Sequence, residues 1–312
     1  MVDYVNLGKS NLKVSALGIG TWAWGDQSYW GYGKEYTKAD IQAAFMTSIE
    51  KGVNFFDTAE AYGKGLSEKI IGELIRETNN ELIIASKFMP YPWRLRRKDF
   101  LNALRNSLKR LNLKQIHLYQ IHWPLPPISI ETWVDCLADA YLEGLCLAIG
   151  VSNYNAEQIE RALTVLSRRG VPLASNQVPY SLLNRKIEHN GTWQICQENQ
   201  IKIIAYSPLA QGVLTGKYSV QNRPKGIRRF IYKTDLLTQN EELIEALKNI
   251  GTKYDHKTPS QVALNWVISK EAIPIVGAKN KRQAEENCGC LGWKLSASDM
   301  ETLDRMSERI HQ

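Results

Sequence analysis

Short apolar runs alternate along the chain with longer segments in which apolar residues recur every three or four positions. A short run that ends in a polar turn is typical of a buried parallel strand, whereas the longer spacing is typical of an amphipathic helix. The helical spacing is clear at Ile41, Phe45 and Ile49, which share one face. The predicted strands lie at 16–20, 53–57, 82–87, 116–122, 145–151, 173–177, 201–206 and 273–276.

The regular alternation predicts an α/β fold of parallel strands with crossover helices. Eight strands in 312 residues favour a closed (β/α)8 TIM barrel over a doubly wound sheet. Turn chemistry within residues 4–14 predicts an N-terminal β-hairpin, and extra C-terminal helices are predicted near 281–288 and 297–308. No linker or low-complexity tract interrupts the chain, so we expect one domain over residues 1–312.

Capping residues predict where two of the helices begin. Thr37 is followed three positions later by Asp40, which is the spacing of a capping box. The segment Thr258-Pro259-Ser260-Gln261 combines a capping threonine, a proline at the first helical position and a glutamine at the third. Both segments precede apolar residues with helical spacing, so each marks a helix start.

The charge balance is mildly basic, with 39 Lys and Arg against 32 Asp and Glu and a net charge of +7. The excess is spread along the chain, so it favours an anionic ligand such as a phosphorylated cofactor and does not indicate nucleic acid. Its densest part, Arg94–Lys98, is short, and we interpret it as the solvated start of a helix.

Five scattered cysteines favour a reduced, cytoplasmic protein. Cys288-Gly289-Cys290 has no second pair at zinc spacing, so no metal site is expected. The first residues do not have the pattern of a signal peptide, and no apolar run approaches membrane-spanning length. We therefore expect no membrane partner.

Candidate reactive residues follow the predicted strands at their carboxyl ends. In a barrel these ends gather on one rim, where active sites lie. One polar strand end means little, since polar residues often finish strands, but six in succession indicate a site. These residues are Asp57, Lys87, His122, Ser152-Asn153, Gln177 and Tyr206, and Tyr62 lies on the loop after Asp57.

Motifs for acyl transfer, zinc hydrolysis, P-loop phosphate binding and Rossmann dinucleotide binding are absent from the sequence. A tyrosine beside a lysine can act as a general acid, because the cation favours the phenolate and lowers the phenol pKa from about 10. An aspartate can hold the ammonium group, and a histidine can orient a carbonyl oxygen. Such a set suits protonation of the oxyanion formed when a carbonyl accepts hydride. The candidates are Asp57, Tyr62, Lys87 and His122.

The chain resembles the aldo-keto reductase superfamily over essentially all its length. The segments Lys87–Leu95 and Glu285–Trp293 look most like the cyanobacterial and plastid branch. Each matching stretch is short, but their combination in this order is specific. The stretches are Phe56-Asp57-Thr58-Ala59-Glu60-Ala61-Tyr62-Gly63, Ser86-Lys87, Tyr119-Gln120-Ile121-His122-Trp123-Pro124, Gly150-Val151-Ser152-Asn153-Tyr154, Asn176-Gln177, Ala205-Tyr206-Ser207-Pro208-Leu209, and Gly277-Ala278-Lys279 with Glu286-Asn287.

The resemblance implies a catalytic tetrad in which Tyr62 donates the proton and Lys87, paired with Asp57, lowers the pKa of Tyr62. His122 would help to orient the carbonyl. The resemblance also implies NADPH/NADP+ as cofactor, with Lys279 near the 2′-phosphate. The implied cofactor residues are Ser152, Asn153 and Gln177 at the nicotinamide carboxamide, Tyr206 stacked on its ring, Ser207, Leu209 and Gln211 along the pyrophosphate, and Gly277, Lys279, Gln283 and Asn287 toward the adenosine end.

Tryptophans are frequent in the segments that follow the predicted strands. A pocket lined by Trp24, Trp93 and Trp123 favours an apolar or aromatic carbonyl. We interpret Trp22 and Trp133 as ordinary packing residues. In the polar loop 207–238, Arg228 and Arg229 either fold over the pyrophosphate or belong to a solvated loop.

We therefore predict an NADP-dependent oxidoreductase that reduces an aldehyde or ketone to an alcohol, with Tyr62 as proton donor. The expected partner is a small-molecule carbonyl substrate, and the expected assembly is a monomer or weak oligomer. Two alternatives stay open. The chain could be a cofactor-binding regulatory subunit that resembles channel-associated β-subunits, which retain the tetrad, or it could run the same chemistry as alcohol oxidation.

Overall fold

A computed structural model provides the structure of the protein and describes residues 2–219, 222–223, 238 and 240–309. Two short strands, β1 (Tyr4–Asn6) and β2 (Lys13–Ser15), pair as an antiparallel hairpin. The later strands pair in parallel and form a closed barrel in the order β10-β3-β4-β5-β6-β7-β8-β9. They are β3 (Gly18–Gly20), β4 (Phe55–Asp57), β5 (Ile83–Phe88), β6 (Ile116–Ile121), β7 (Cys146–Ser152), β8 (Leu173–Pro179), β9 (Lys202–Tyr206) and β10 (Ile273–Gly277).

Helices follow the barrel strands and surround them, which confirms the prediction of a (β/α)8 TIM barrel with an N-terminal hairpin and extra C-terminal helices. The helices of the described residues are α1 (Lys38–Glu50), α2 (Leu66–Leu74), α3 (Arg97–Leu111), α4 (Ile130–Leu142), α5 (Ala156–Arg169), α6 (Lys186–His189), α7 (Thr192–Glu198), α8 (Glu241–Thr252), α9 (Pro259–Ser269), α10 (Lys281–Cys288) and α11 (Ala297–Arg309). Short 3-10 turns cover Tyr62–Gly65, Ile75–Glu77 and Ala210–Thr215.

The two predicted helix starts are confirmed. A capping box opens α1, where an oxygen of the Asp40 carboxylate accepts a hydrogen bond of 2.8 Å from the backbone nitrogen of Thr37. A second box opens α9, where Thr258 caps the helix and Pro259 follows directly. These local signals are strong because each satisfies backbone donors that the first helical turn leaves unpaired.

An apolar layer fills the part of the barrel interior nearer the amino-terminal ends of the strands, and the hairpin covers it. Leu7 and Val14 of the hairpin are fully buried and join the interior residues of the barrel strands. Gly8, at the hairpin turn, has φ +56°, and a Cβ added there would lie 2.2 Å from the carbonyl oxygen of Ala174. Only glycine allows this approach. Because Ala174 lies near the amino end of β8, the hairpin closes the amino-terminal end of the barrel.

A polar layer lies directly above this apolar layer, toward the carboxyl ends of the strands. Side chains two positions apart on a strand point to the same face. Phe55 and Ala85 belong to the apolar layer, and two positions later on the same strands the side chains of Asp57 and Lys87 also point into the barrel interior. The pairing of Lys87 with Gln120 continues the layer onto β6. The register of the barrel thus gathers the candidate reactive groups on one rim, which we call the mouth.

Two expectations concern parts of the chain away from this layer. None of the helices that the structure describes is long and apolar enough to cross a membrane. The predicted loop 207–238 is described only in part, and Arg228 and Arg229 lie outside the described residues. Whether these two arginines contact a pyrophosphate stays a prediction.

Candidate active site

A buried ion pair lies at the centre of the mouth. The ammonium group of Lys87 donates to Oδ1 of Asp57 at 2.5 Å and to the carbonyl oxygen of Thr58 at 2.8 Å. The side chains of Lys87 and Asp57 are 0% and 1% exposed. Removing two charges from water is costly, and here each charge compensates the other. Burial lowers the pKa of Lys87, and the neighbouring Asp57 opposes that effect.

Two amide side chains hold the second oxygen of Asp57. Nε2 of Gln177 donates to Oδ2 at 2.8 Å, and Nε2 of Gln120 donates to the same atom at 3.2 Å. The carboxylate is therefore fixed by groups from β5, β6 and β8. Sequence reasoning placed Gln177 at the cofactor and gave Gln120 no role, although Gln120 lies two residues before His122 at the end of a strand.

The hydroxyl of Tyr62 lies 3.5 Å from the ammonium nitrogen of Lys87. Burial, and then the Asp57 carboxylate, raise the pKa of Tyr62 well above its usual value. Desolvation of a phenolate and the nearby negative charge therefore set the direction of this pKa, and the expected lowering by Lys87 stays a prediction. Tyr62 is a neutral phenol at ordinary pH and has a proton to give.

His122 lies directly after β6 and faces Tyr62. Its backbone nitrogen donates to the carbonyl oxygen of Phe88 at 2.9 Å, and its ring meets the Tyr62 ring edge-on with centroids 5.6 Å apart. Nδ1 of His122 is buried and has no hydrogen-bond partner among the described residues. Burial, and then the Lys87 cation, lower the pKa of His122 to about 3. The imidazole is therefore neutral and carries one N–H.

The residues implied for the nicotinamide lie next to this group and are bonded to one another. Oγ of Ser152 donates to the carbonyl oxygen of Gln177 at 2.9 Å. Asn153 has φ +64°, and its Nδ2 donates to the carbonyl oxygen of His122 at 3.1 Å. The hydroxyl of Tyr206 donates to Oδ1 of Asn153 at 2.9 Å. The structure thus brings this polar cluster and the tetrad onto adjoining strands.

The backbone after β9 has an unusual conformation where a pyrophosphate contact was predicted. Ser207, Ala210 and Gln211 have φ of +52°, +46° and +52°, a region that costs a non-glycine residue about 1–3 kcal/mol. Strain of this kind is concentrated at functional sites. Leu209 is buried beneath this turn, while Oε1 of Gln211 accepts a hydrogen bond of 2.6 Å from the Tyr29 hydroxyl.

The residues implied for the adenosine end surround the turn after β10. Gly277 is exposed, and a Cβ added there would meet nothing closer than 3.9 Å. Asn287 donates to the Gly277 carbonyl oxygen at 3.2 Å, and Gln283 accepts from the Lys279 backbone nitrogen at 2.8 Å. The ammonium group of Lys279 donates to the carbonyl oxygen of Trp30 at 2.9 Å. Gln283 and Asn287 thus brace an open turn that carries a cation.

The family model described as Aldo/keto reductase family matches residues 16–308 of the chain. The chain belongs to this family. A relative from Arabidopsis thaliana, a chloroplastic pyridoxal reductase, is 43% identical over 309 residues, which cover 94% of this chain and 83% of the relative. The family and its oxidoreductase members support carbonyl reduction on small molecules as the general activity.

Solved structures agree with this assignment. An aldo-keto reductase from Klebsiella pneumoniae in complex with NADPH superimposes with a TM-score of 0.78 at 27% identity, covering 98% of this chain and 96% of that one. A glycerol dehydrogenase from Gluconobacter oxydans superimposes with a TM-score of 0.86 at 26% identity, covering 98% of this chain and 95% of that one.

Trp24 of this aldo-keto reductase does not line an open pocket, contrary to expectation. Its side chain is fully buried and packs against Phe45 and Phe56, with ring centroids 6.3 Å away in each case. Its Nε1 donates to the carbonyl oxygen of Ala278 at 2.8 Å. A buried indole needs such a partner, so the position is a core position.

Trp22, interpreted from sequence as a packing residue, lies at the mouth instead. Its side chain is 38% exposed and its ring centroid lies 6.3 Å from that of Tyr62. It stacks on Tyr29 with centroids 5.1 Å apart and planes inclined by 17°. An aromatic-rich loop has no periodicity, so the sequence offered no signal that separates Trp22 from Trp24.

The other two tryptophans of the predicted pocket are exposed. Trp93, on the loop after β5, is 72% exposed, and Trp123, directly after His122, is 40% exposed. The structure places both on segments that leave the mouth, and their contact with substrate stays a prediction. Arg94, assigned from sequence to a solvated helix start, instead forms a largely buried ion pair with Glu60.

The lowered pKa of His122 predicts a pH dependence of stability. Between about pH 3 and 6.5 the unfolded chain binds a proton at His122 that the folded chain does not bind. The free energy of unfolding therefore falls as pH is lowered through this window. We expect urea unfolding of the His122→Gln variant to lose less stability between neutral pH and about pH 4.5 than the wild type loses. Equal losses in the two proteins would contradict a neutral buried imidazole.

Proposed function

We propose that the protein is an NADPH-dependent reductase of aldehydes, with Tyr62 as the proton donor. The observation that carries the proposal is the Tyr62 hydroxyl 3.5 Å from the ammonium group of a fully buried Lys87–Asp57 pair. The general activity of the family and the NADPH-bound relative from Klebsiella pneumoniae support it. When bound, the reduced nicotinamide supplies the hydride.

Tyr62 would protonate the carbonyl oxygen as negative charge develops on it. A phenol with a raised pKa is fully protonated at working pH, but it is a weak acid in the resting site. Lys87 offsets this weakness, because its cation is close enough to stabilise the phenolate that remains after donation. Asp57 keeps the ammonium group in place and limits its loss of charge on burial.

His122 would hold the carbonyl oxygen without competing as an acid. With a pKa of about 3 it is neutral at working pH, so its single N–H can donate to the substrate oxygen. The edge-on contact with the Tyr62 ring keeps the two donors on the same side of the site. Two fixed donors aimed at one oxygen lower the barrier because they need no reorganisation during the reaction.

The chemistry of the rim fits a dinucleotide along β7 to β10. Among the described residues, no donor is bonded to Oε1 of Gln177, so this atom can accept from a carboxamide NH2 group. Tyr206 presents a half-exposed ring beside it. The left-handed turn at Ser207–Gln211, the bare backbone at Gly277 and the Lys279 cation suit phosphate groups and a ribose.

We further propose a planar aromatic aldehyde as substrate. Trp22 and Tyr29 form a stacked aromatic wall beside Tyr62, and such walls favour flat rings. The Arabidopsis thaliana relative is named a pyridoxal reductase, and pyridoxal is an aldehyde of this kind. Because the structurally similar protein from Gluconobacter oxydans is named a glycerol dehydrogenase, oxidation of alcohols should be tested as well.

The test is a carbonyl panel followed by NADPH absorbance. We expect the purified chain to consume NADPH with pyridoxal and benzaldehyde, to consume it measurably but less efficiently with propanal, and not to consume it without a carbonyl. NADH in place of NADPH serves as the cofactor control. Binding of NADPH without turnover of any carbonyl, and without oxidation of the matching alcohols, would contradict the proposal and favour a regulatory subunit.

A further inference from the structure

An ion pair fastens the loop after β5 to the turn that carries Tyr62. The side chains of Glu60 and Arg94 are 8% and 19% exposed. Both guanidinium Nη atoms of Arg94 donate to the Glu60 carboxylate, one of them at 3.0 Å. Glu60 also accepts from the backbone nitrogen of Met89 at 2.7 Å. A two-point contact of this kind fixes orientation as well as distance.

The same guanidinium group supports the aromatic residues of the loop. Its central carbon lies 4.9 Å from the ring centroid of Phe88 and 5.2 Å from that of Tyr91. Tyr91 stacks on Trp93 with centroids 4.7 Å apart and planes inclined by only 4°. Prolines on either side of Tyr91 restrict the backbone dihedral angles, so the segment that carries the ring pair has few conformations available.

The outer ring of this supported pair is exposed. Trp93 is 72% exposed, whereas Tyr91 beneath it is partly buried, so the pair presents one face of an aromatic ring to the solvent. In the barrel β4 lies between β3 and β5. The loops that carry the Tyr91–Trp93 pair and the Trp22–Tyr29 pair therefore begin on opposite sides of β4, the strand that precedes the Tyr62 turn.

We propose that Glu60 and Arg94 are positioning residues that select substrates, by holding the Tyr91–Trp93 ring pair against the part of an aromatic carbonyl substrate that extends from the site. The inference rests on the proposed aldehyde reductase function. The ring pair contributes contact area to a large planar aldehyde and none to a short aliphatic one. Binding of the large substrate therefore depends on the ion pair. The Tyr62 ring has contacts of its own with Lys87 and His122, so we expect the chemistry there to be affected much less.

The central variant is Arg94→Lys, which keeps the charge and loses the planar, two-point contact. For naphthaldehyde we expect KM to rise about tenfold with kcat changed less than about twofold, because only binding is lost. For propanal we expect both constants to stay within about twofold. Trp93→Ala should reproduce the effect on naphthaldehyde, since it removes the contact surface directly. Hydrogen exchange of residues 88–96 should speed up in Arg94→Lys.

Arg161→Lys is the matched control. Arg161 also makes a two-point contact, through Nε and Nη2 to the Glu131 carboxylate at 2.7 Å and 3.0 Å, on the outer surface of α4 and α5, where both side chains are 43% exposed. We expect this variant to leave the kinetics with both aldehydes unchanged. An effect equal to that of Arg94→Lys would show a general loss of structure and would overturn the proposal.

Three other outcomes overturn it. Arg94→Lys could lower kcat equally for naphthaldehyde and propanal, it could leave KM for naphthaldehyde unchanged, or Trp93→Ala could bind naphthaldehyde as tightly as the wild type. If the wild type turns over no carbonyl, the proposed function fails. The dissociation constants of naphthaldehyde for wild type and Trp93→Ala, measured by ligand-observed NMR, then decide the positioning proposal separately.

Discussion

The Tyr62→Phe variant is expected to lose carbonyl reduction by a factor of about 10²–10⁴ in kcat, because a positioned general acid contributes on that scale. The ring keeps its contacts with His122 and Trp22, so folding and cofactor binding should be retained. Only the hydroxyl near Lys87 is removed. Steady-state kinetics with an aromatic aldehyde and NADPH, together with NADPH fluorescence titration, measure the two effects.

Tyr4→Phe is the control for this substitution. It also removes a phenol hydroxyl, but from the hairpin at the other end of the barrel, where Tyr4 donates to the carbonyl oxygen of Gly52 at 2.9 Å. We expect its kcat to stay within about twofold of the wild type. Wild-type turnover by Tyr62→Phe would show that another group gives the proton and would refute the assigned role.

Lys87→Met is expected to lower both activity and stability. Methionine fills a similar volume, but among the described residues the buried Asp57 carboxylate then retains only two neutral amide donors, from Gln120 and Gln177. Removing one partner of a buried ion pair costs about 3–5 kcal/mol in the free energy of unfolding. Urea unfolding monitored by circular dichroism, with activity recorded on the same preparation, measures both losses.

The double variant Asp57→Asn with Lys87→Met separates charge from packing. It removes both charges from a site where the two side chains are 0% and 1% exposed. We expect it to be more stable than Lys87→Met alone by about 2 kcal/mol, because no unpaired buried charge remains. It should still be inactive. A double variant less stable than the single one would mean that the carboxylate is compensated by other groups.

The arrangement of the tetrad could be predicted from sequence because it depends on register. Apolar runs that end at Asp57, Lys87 and His122 define strands, and parallel strands in a barrel bring their carboxyl ends to one rim. The barrel and the hairpin followed from the same alternation, and the structure confirms both. The identity of each rim residue was therefore available before any side-chain contact was known.

The features that sequence reasoning missed depend on how loops fold back. Trp22 and Trp24 are two residues apart in one aromatic segment, yet one borders the mouth and the other is fully buried. Arg94 belongs to a run of basic residues, and nothing in that run indicates that a carboxylate from the Tyr62 turn pairs with it. The raised pKa of Tyr62 likewise depends on burial, which composition and spacing do not report.

The hairpin closes the amino-terminal end of the barrel, here called the back, which lies opposite the mouth. The proposed reaction takes place at the mouth, so the opposite end can serve for attachment. All five cysteines are buried, so a thiol introduced at the exposed Lys9 would be a selective handle on the back. Protein tethered to an electrode or bead through that handle would present its mouth to the solution.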